Sequence, residues 1–128
     1  MRFLCALCVA VFASVTPAVS FAASTSVVGR EVDALLARLE TSQCQFQRNG
    51  RWHDAIRARS HLERKLRYLE ERTILTSSEQ FIELAASRSS MSGEAYRVRC
   101  AGRAEQTSAA WFLEQLKSIR DSHPIRPD

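Results

Sequence analysis

The stretch that decides the fold is Cys44-Gln45-Phe46-Gln47-Arg48-Asn49-Gly50-Arg51-Trp52-His53. Apolar and polar residues alternate around Asn49-Gly50, and an Asn-Gly pair between alternating runs is the strongest short-range hairpin signal. A second alternating run, Ala95-Tyr96-Arg97-Val98-Arg99-Cys100, puts Tyr96, Val98 and Cys100 on one face and both arginines on the other. Two registers are open to the hairpin. A two-residue Asn49-Gly50 turn pairs Gln47 with Trp52 and Phe46 with His53, which separates the aromatics onto opposite faces. A three-residue loop with Gly50 left-handed pairs Phe46 with Trp52 on the face of Cys44. The second register is expected, because it buries both aromatics together.

Helical periodicity surrounds these strands. From about Val28 to Ser42, Val28, Val32, Leu35, Leu36 and Leu39 form one stripe. A second helix follows Asp54, a good N-cap, carries Ala55, Ala58, Leu62, Leu66 and Leu69, and should end near Arg72. A third opens at Thr76-Ser77-Ser78-Glu79, where Thr76 and Glu79 have capping-box spacing, and presents Phe81, Ile82, Ala85 and Ala86. The fourth begins at Thr107 or Ser108 and presents Phe112, Leu113, Leu116 and Ile119. The expected fold class is α+β, with about four helices packed on a small antiparallel sheet made of the hairpin 44–53 and the strand 95–100. The domain should span residues 23–120, with a flexible tail over 121–128.

Composition agrees with a folded domain. Of 128 residues, 45% are hydrophobic and 25% charged, close to the globular average. Glycine and proline number only 4 and 3, too few turns for a many-stranded sandwich. Residues 1–22 read as an export signal. Arg2 supplies a positive start, Phe3 to Val15 form an apolar run, and Ser20-Phe21-Ala22 gives small residues for cleavage near Ala22. The run is too short for a membrane span, which needs about 20 residues. Cys5 and Cys8 lie inside it, in contexts that do not fit a lipidated cysteine. The mature chain is therefore expected in the periplasm or secreted, with no transmembrane segment. It keeps Cys44 and Cys100, and an even pair in an oxidising compartment is most simply a disulfide. Closing that loop should remove denatured-state entropy worth about 4 kcal/mol.

The charge is unusual in kind: of 18 basic residues only Lys65 and Lys117 are not arginine, and the net charge is +4. On the second helix, Glu63, Glu70 and Glu71 lie within one turn of Arg67, a pattern of solvated surface pairs. Nucleic acid does not suit an exported protein, so the partner expected of such a surface is a protein or an anionic envelope polymer. His53, His61 and His123 do not share metal-ligand spacing with one another, and no metal or other cofactor is expected. The run Ser87-Arg88-Ser89-Ser90-Met91-Ser92-Gly93 reads as a turn that satisfies its own backbone through serine hydroxyls. It has no G-x-S-x-G or S-x-x-K word to support a nucleophilic serine.

Two resemblances add to this reading. The words Cys44-Gln45-Phe46-Gln47-Arg48-Asn49-Gly50, His61-Leu62-x-x-Lys65 and Phe81-Ile82 are followed by Ala86-Ser87-x-Ser89-Ser90-x-Ser92-Gly93-x-x-Tyr96-x-Val98-Arg99-Cys100 and by Trp111. In combination they resemble the bacterial family of short exported proteins known as domain of unknown function 5329, over about residues 30 to 120. The resemblance implies a small envelope protein and brings no activity, substrate or catalytic residue with it. Ala101-Gly102 departs from it, since a proline is expected before that glycine. More narrowly, Ser92-Gly93-x-x-Tyr96 is similar to the loop word of exported bacterial inhibitors of C-type lysozyme, whose lysine-bearing second motif and all-β pattern this chain lacks.

The leading expectation is a non-enzymatic exported binding module. Its candidate contacts are Arg48, Asn49, Trp52, Ser90, Ser92, Gly93, Tyr96, Arg97 and Arg99. A lysozyme-inhibitor-like protein acting through the Ser92-Gly93-x-x-Tyr96 loop is one alternative. A small hydrolase using Ser92 or His53 is the other.

Overall fold

The structure is a computed structural model that describes residues 26–123; the export-signal reading and residues 124–128 of the expected tail lie outside the described residues. Helix α1 (Val27–Thr41) leads into strands β1 (Gln45–Arg48) and β2 (Arg51–His53), then helix α2 (Ala55–Glu70). Helix α3 (Ser78–Phe81) continues as a π-helical turn (Ile82–Ala86). Strands β3 (Arg97–Arg99) and β4 (Gln106–Thr107) precede helix α4 (Ser108–Ser122). The sheet is antiparallel in the order β2-β1-β3-β4. The α+β class, the four helices and the Cys44–Cys100 disulfide all match the sequence reading. Strand β4 was not anticipated, since Gln106-Thr107 carries no alternation to read.

The hairpin register is a correction. Phe46 pairs with His53, Gln47 with Trp52 and Arg48 with Arg51, so the loop is the two-residue Asn49-Gly50 turn. Both turn residues have positive φ, 49° and 76°, the signature of the primed turn whose twist suits two strands. The expected gain from burying two aromatics together is met differently. Phe46 packs edge-on against Trp111 of α4, ring centroids 5.4 Å apart. Trp52 stays on the outer face, where the Arg99 guanidinium lies 4.0 Å over its ring.

The caps follow local hydrogen bonding. Ser26 caps α1 and Asp54 caps α2, the Asp54 carboxylate accepting from the Arg57 amide at 2.8 Å. Thr107 caps α4. The third helix is capped by Ser77, whose hydroxyl accepts from the Gln80 amide, and not by Thr76; the capping-box expectation is overturned. The Gln80 side chain turns back to the Thr76 amide, so the reciprocal bond is made one residue away from the expected pair.

Val32, Leu35, Leu36 and Leu39 of α1, Phe81, Ile82, Ala85 and Ala86, and Trp111, Phe112 and Leu116 of α4 fill the core against Phe46, Tyr96 and Val98 of the sheet. On α4 the stripe is displaced: Trp111 is buried and Leu113 is 48% exposed. The two flank the stripe symmetrically at 100° per residue, and the sheet lies on the Trp111 side. The helices cover one sheet face; Gln45, Gln47, Trp52, Arg97 and Arg99 form the other. Arg120 of α4 binds Glu31 of α1 and Glu79 of α3, joining three helix ends.

Candidate functional site

Helix α2 meets the inner face of the hairpin along one flank. Its apolar stripe, Leu62 with Ala58, Leu66 and Leu69, faces the core. One side of that stripe is neutralised, with Arg59 paired to Glu63 and to Glu40 of α1. Glu63 thus takes Arg59 and not Arg67. The opposite side carries Arg57, His61, Arg64, Lys65 and Tyr68, without a carboxylate. Across from it stand Arg48 of β1 and Tyr96, the residue just before β3.

Four of these groups converge. Arg48 Nη1 lies 2.6 Å from His61 Nδ1, and His61 Nε2 lies 3.0 Å from the Tyr96 hydroxyl. Lys65 Nζ lies 3.4 Å from the same hydroxyl and donates to the Arg88 carbonyl at 2.9 Å. The direction of each bond follows from the donor inventory. Arginine only donates, so Nδ1 is the acceptor nitrogen and a neutral imidazole carries its proton on Nε2. Nε2–H and the Lys65 ammonium then both donate to the phenol oxygen. The phenol proton has no protein acceptor among the described residues. Burial, followed by the charges of Arg48, Lys65 and Arg64, holds the His61 pKa down to about 4, in keeping with a neutral ring. Burial also pushes the Lys65 ammonium down, with Arg48 adding to the effect, and pushes the Tyr96 phenol up, which Arg48 opposes.

The cluster forms the wall between two cavities, of about 290 Å³ and 400 Å³. Both are lined by Arg48, His61, Arg64 and Tyr96. The smaller adds Phe46, His53, Ile56 and Arg57, and the larger adds Lys65, Tyr68, Leu84, Ser90 and Met91. Neither lining contains an aspartate or glutamate. Arg48, Arg57 and Arg64 pair with no carboxylate among the described residues. Such an arrangement can hold an anion or a strong hydrogen-bond acceptor.

The candidate residues divide among three places: the larger cavity, the serine turn and the opposite sheet face. Arg48, Asn49, Ser90 and Tyr96 line the larger cavity, Tyr96 being a buried residue. The Ser92 hydroxyl donates to Asn49 Oδ1 at 2.7 Å and accepts from the Glu94 amide, while Gly93 takes φ 74° in the same turn. Ser89 accepts from the amides of Met91 and Ser92, so the serine run satisfies its own backbone as its composition suggested. Ser92 thus spends its hydroxyl on Asn49 and on the turn. Trp52, Arg97 and Arg99 lie across the sheet, with Arg97 bound to Glu105 and Arg99 to Gln45. His61, Lys65 and Arg64 were not among the candidates. Their signal is the acid-free flank at 57, 61, 64, 65 and 68, which a count of α2 charges as a whole conceals. Among the described residues no three of His, Cys, Asp and Glu group to hold a metal ion.

Fold and site together define a small disulfide-linked α+β domain with a cationic basin between a helix and a hairpin. The chain matches the model of the family of unknown function DUF5329 over residues 26–120, and it belongs to that family. No match is found among curated proteins or among solved structures. Among the described residues no helix is long and apolar enough to cross a membrane.

Proposed function

We propose that the protein is a non-enzymatic binding module of the periplasm or extracellular space, and that it takes an anionic ligand in the basin between α2 and the hairpin. One observation carries this reading: Arg48, Lys65 and the Tyr96 hydroxyl gather around a neutral His61 with no carboxylate in the lining of either cavity. Donors grouped in this way, partly withdrawn from water, favour a ligand that brings the acceptors. Export is supported by the disulfide and by the signal-like residues 1–22.

A ligand that binds only the folded state raises its stability by mass action. Thermal unfolding should therefore be followed in rising phosphate or acetate, against chloride at matched ionic strength. Because phosphate also raises Tm by exclusion from protein surfaces, the binding increment is the part of the rise over chloride that the wild type shows and that Arg48→Met and Lys65→Met are expected to lose. The same increment over chloride in the wild type and in both variants would overturn the reading.

A further inference from the structure

The basin is not uniformly polar. Beside the cationic wall, the larger cavity exposes three large apolar side chains: Met91 is 97% exposed, Tyr68 57% and Leu84 42%. Exposed apolar groups scattered singly need no explanation, but Met91, Leu84 and Tyr68, whose ring carries the Arg72 guanidinium at 3.6 Å, share one groove. Leu69, partly buried against the core, lines the same cavity. Lys65 lines this cavity and not its smaller neighbour, so the apolar rim and the ammonium belong to the same lobe. The turn that carries Met91 is held by the Ser89 hydroxyl and by the Ser92–Asn49 bond, which fixes the rim relative to the hairpin.

We infer that the site binds a single-chain anionic amphiphile, with its carboxylate or phosphate head on Arg48, Lys65 and Tyr96 and its apolar chain along Met91, Leu84 and Tyr68. This rests on the anion-binding reading above. Charge complementarity argues for an anionic head, since Arg48, Lys65 and the Tyr96 hydroxyl line the same cavity as Met91, Leu84 and Tyr68. The size is suitable, because ligand pockets start at about 300 Å³.

The test is calorimetric titration of the purified protein with decanoate and decyl phosphate, below the concentrations at which they self-associate. Acetate, inorganic phosphate and phosphatidylglycerol vesicles run in parallel. The decyl compounds are expected to bind at least tenfold more tightly than acetate and phosphate, since two buried methylene groups already give about tenfold. Met91→Ser should weaken decanoate roughly fivefold and leave acetate unchanged, while Ile56→Ser, in the smaller cavity, should change neither. Met91 is so exposed that its replacement does not threaten folding. Equal affinity for acetate and decanoate overturns the amphiphile and leaves the anion site standing. No binding of any anion removes both. Sensitivity to Ile56→Ser without sensitivity to Met91→Ser overturns the placement of the chain. Capture by vesicles without binding of the free decyl compounds points to a membrane surface and overturns the inference.

Discussion

At the scale of single residues, His61 shows how a buried titratable group reports its surroundings. Its ring is held neutral by burial and by neighbouring cations, with a pKa of about 4 against an ordinary 6.5. The unfolded chain takes up a proton below pH 6.5 that the folded chain refuses until about pH 4. Stability from this group is therefore fully present above 6.5 and is lost progressively as pH falls towards 4. Denaturant midpoints measured across that window should fall for the wild type and fall less for His61→Asn, which keeps a donor and an acceptor without the titration. Parallel curves for both proteins would show that His61 does not govern this window. The sequence displayed His61 as one isolated histidine on a charged helix. Its role becomes visible only when Arg48 and Tyr96 arrive from residues 13 and 35 positions away.

At the scale of elements, the hairpin is where sequence and structure part most instructively. Asn49-Gly50 was legible as a turn from local pattern, whereas Cys44 and Cys100 were legible as partners by count, as the pair left once residues 1–22 are set aside. The register was not legible, since it depends on where Phe46 finds its neighbour, and Trp111 lies far along the chain. Thr76 fails as a cap because three hydroxyl residues in succession, Thr76, Ser77 and Ser78, offer the same local chemistry, and it is Ser77 that accepts from the Gln80 amide. The turn itself gives a clean test. A Cβ added at Gly50 meets nothing within 4 Å, so Gly50→Ala carries only the strain of its φ of +76°. A loss of about 1 kcal/mol is expected in equilibrium unfolding, from the left-handed backbone alone. An unchanged midpoint would contradict the left-handed backbone at Gly50.

At the scale of the whole molecule, the disulfide links the segment before β1 to the residue after β3, and α1, α3 and α4 close over one face of the sheet. Cys44 and Cys100 are 56 residues apart in sequence and 4.4 Å apart between Cα atoms. Reduction, or Cys100→Ser, is expected to cost about 4 kcal/mol in denaturant unfolding on the chain-entropy account. Thiol titration of the denatured, unreduced protein should find none if residues 1–22 have been removed, and two, Cys5 and Cys8, if they are retained. Any free thiol in the chain lacking residues 1–22, or a count above two in the full chain, would contradict the bridge. The central claim is that the acid-free flank of α2, Arg48 and Tyr96 form a receptor for an anion. The most direct measurement is a titration with inorganic phosphate and acetate, followed by the side-chain NMR signals of Arg48, His61 and Lys65. Saturable shifts are expected at these three residues, diminished in Tyr96→Phe, with the Arg97 and Arg99 signals on the opposite sheet face unmoved. Shifts confined to Arg97 and Arg99, or none anywhere, would contradict the claim.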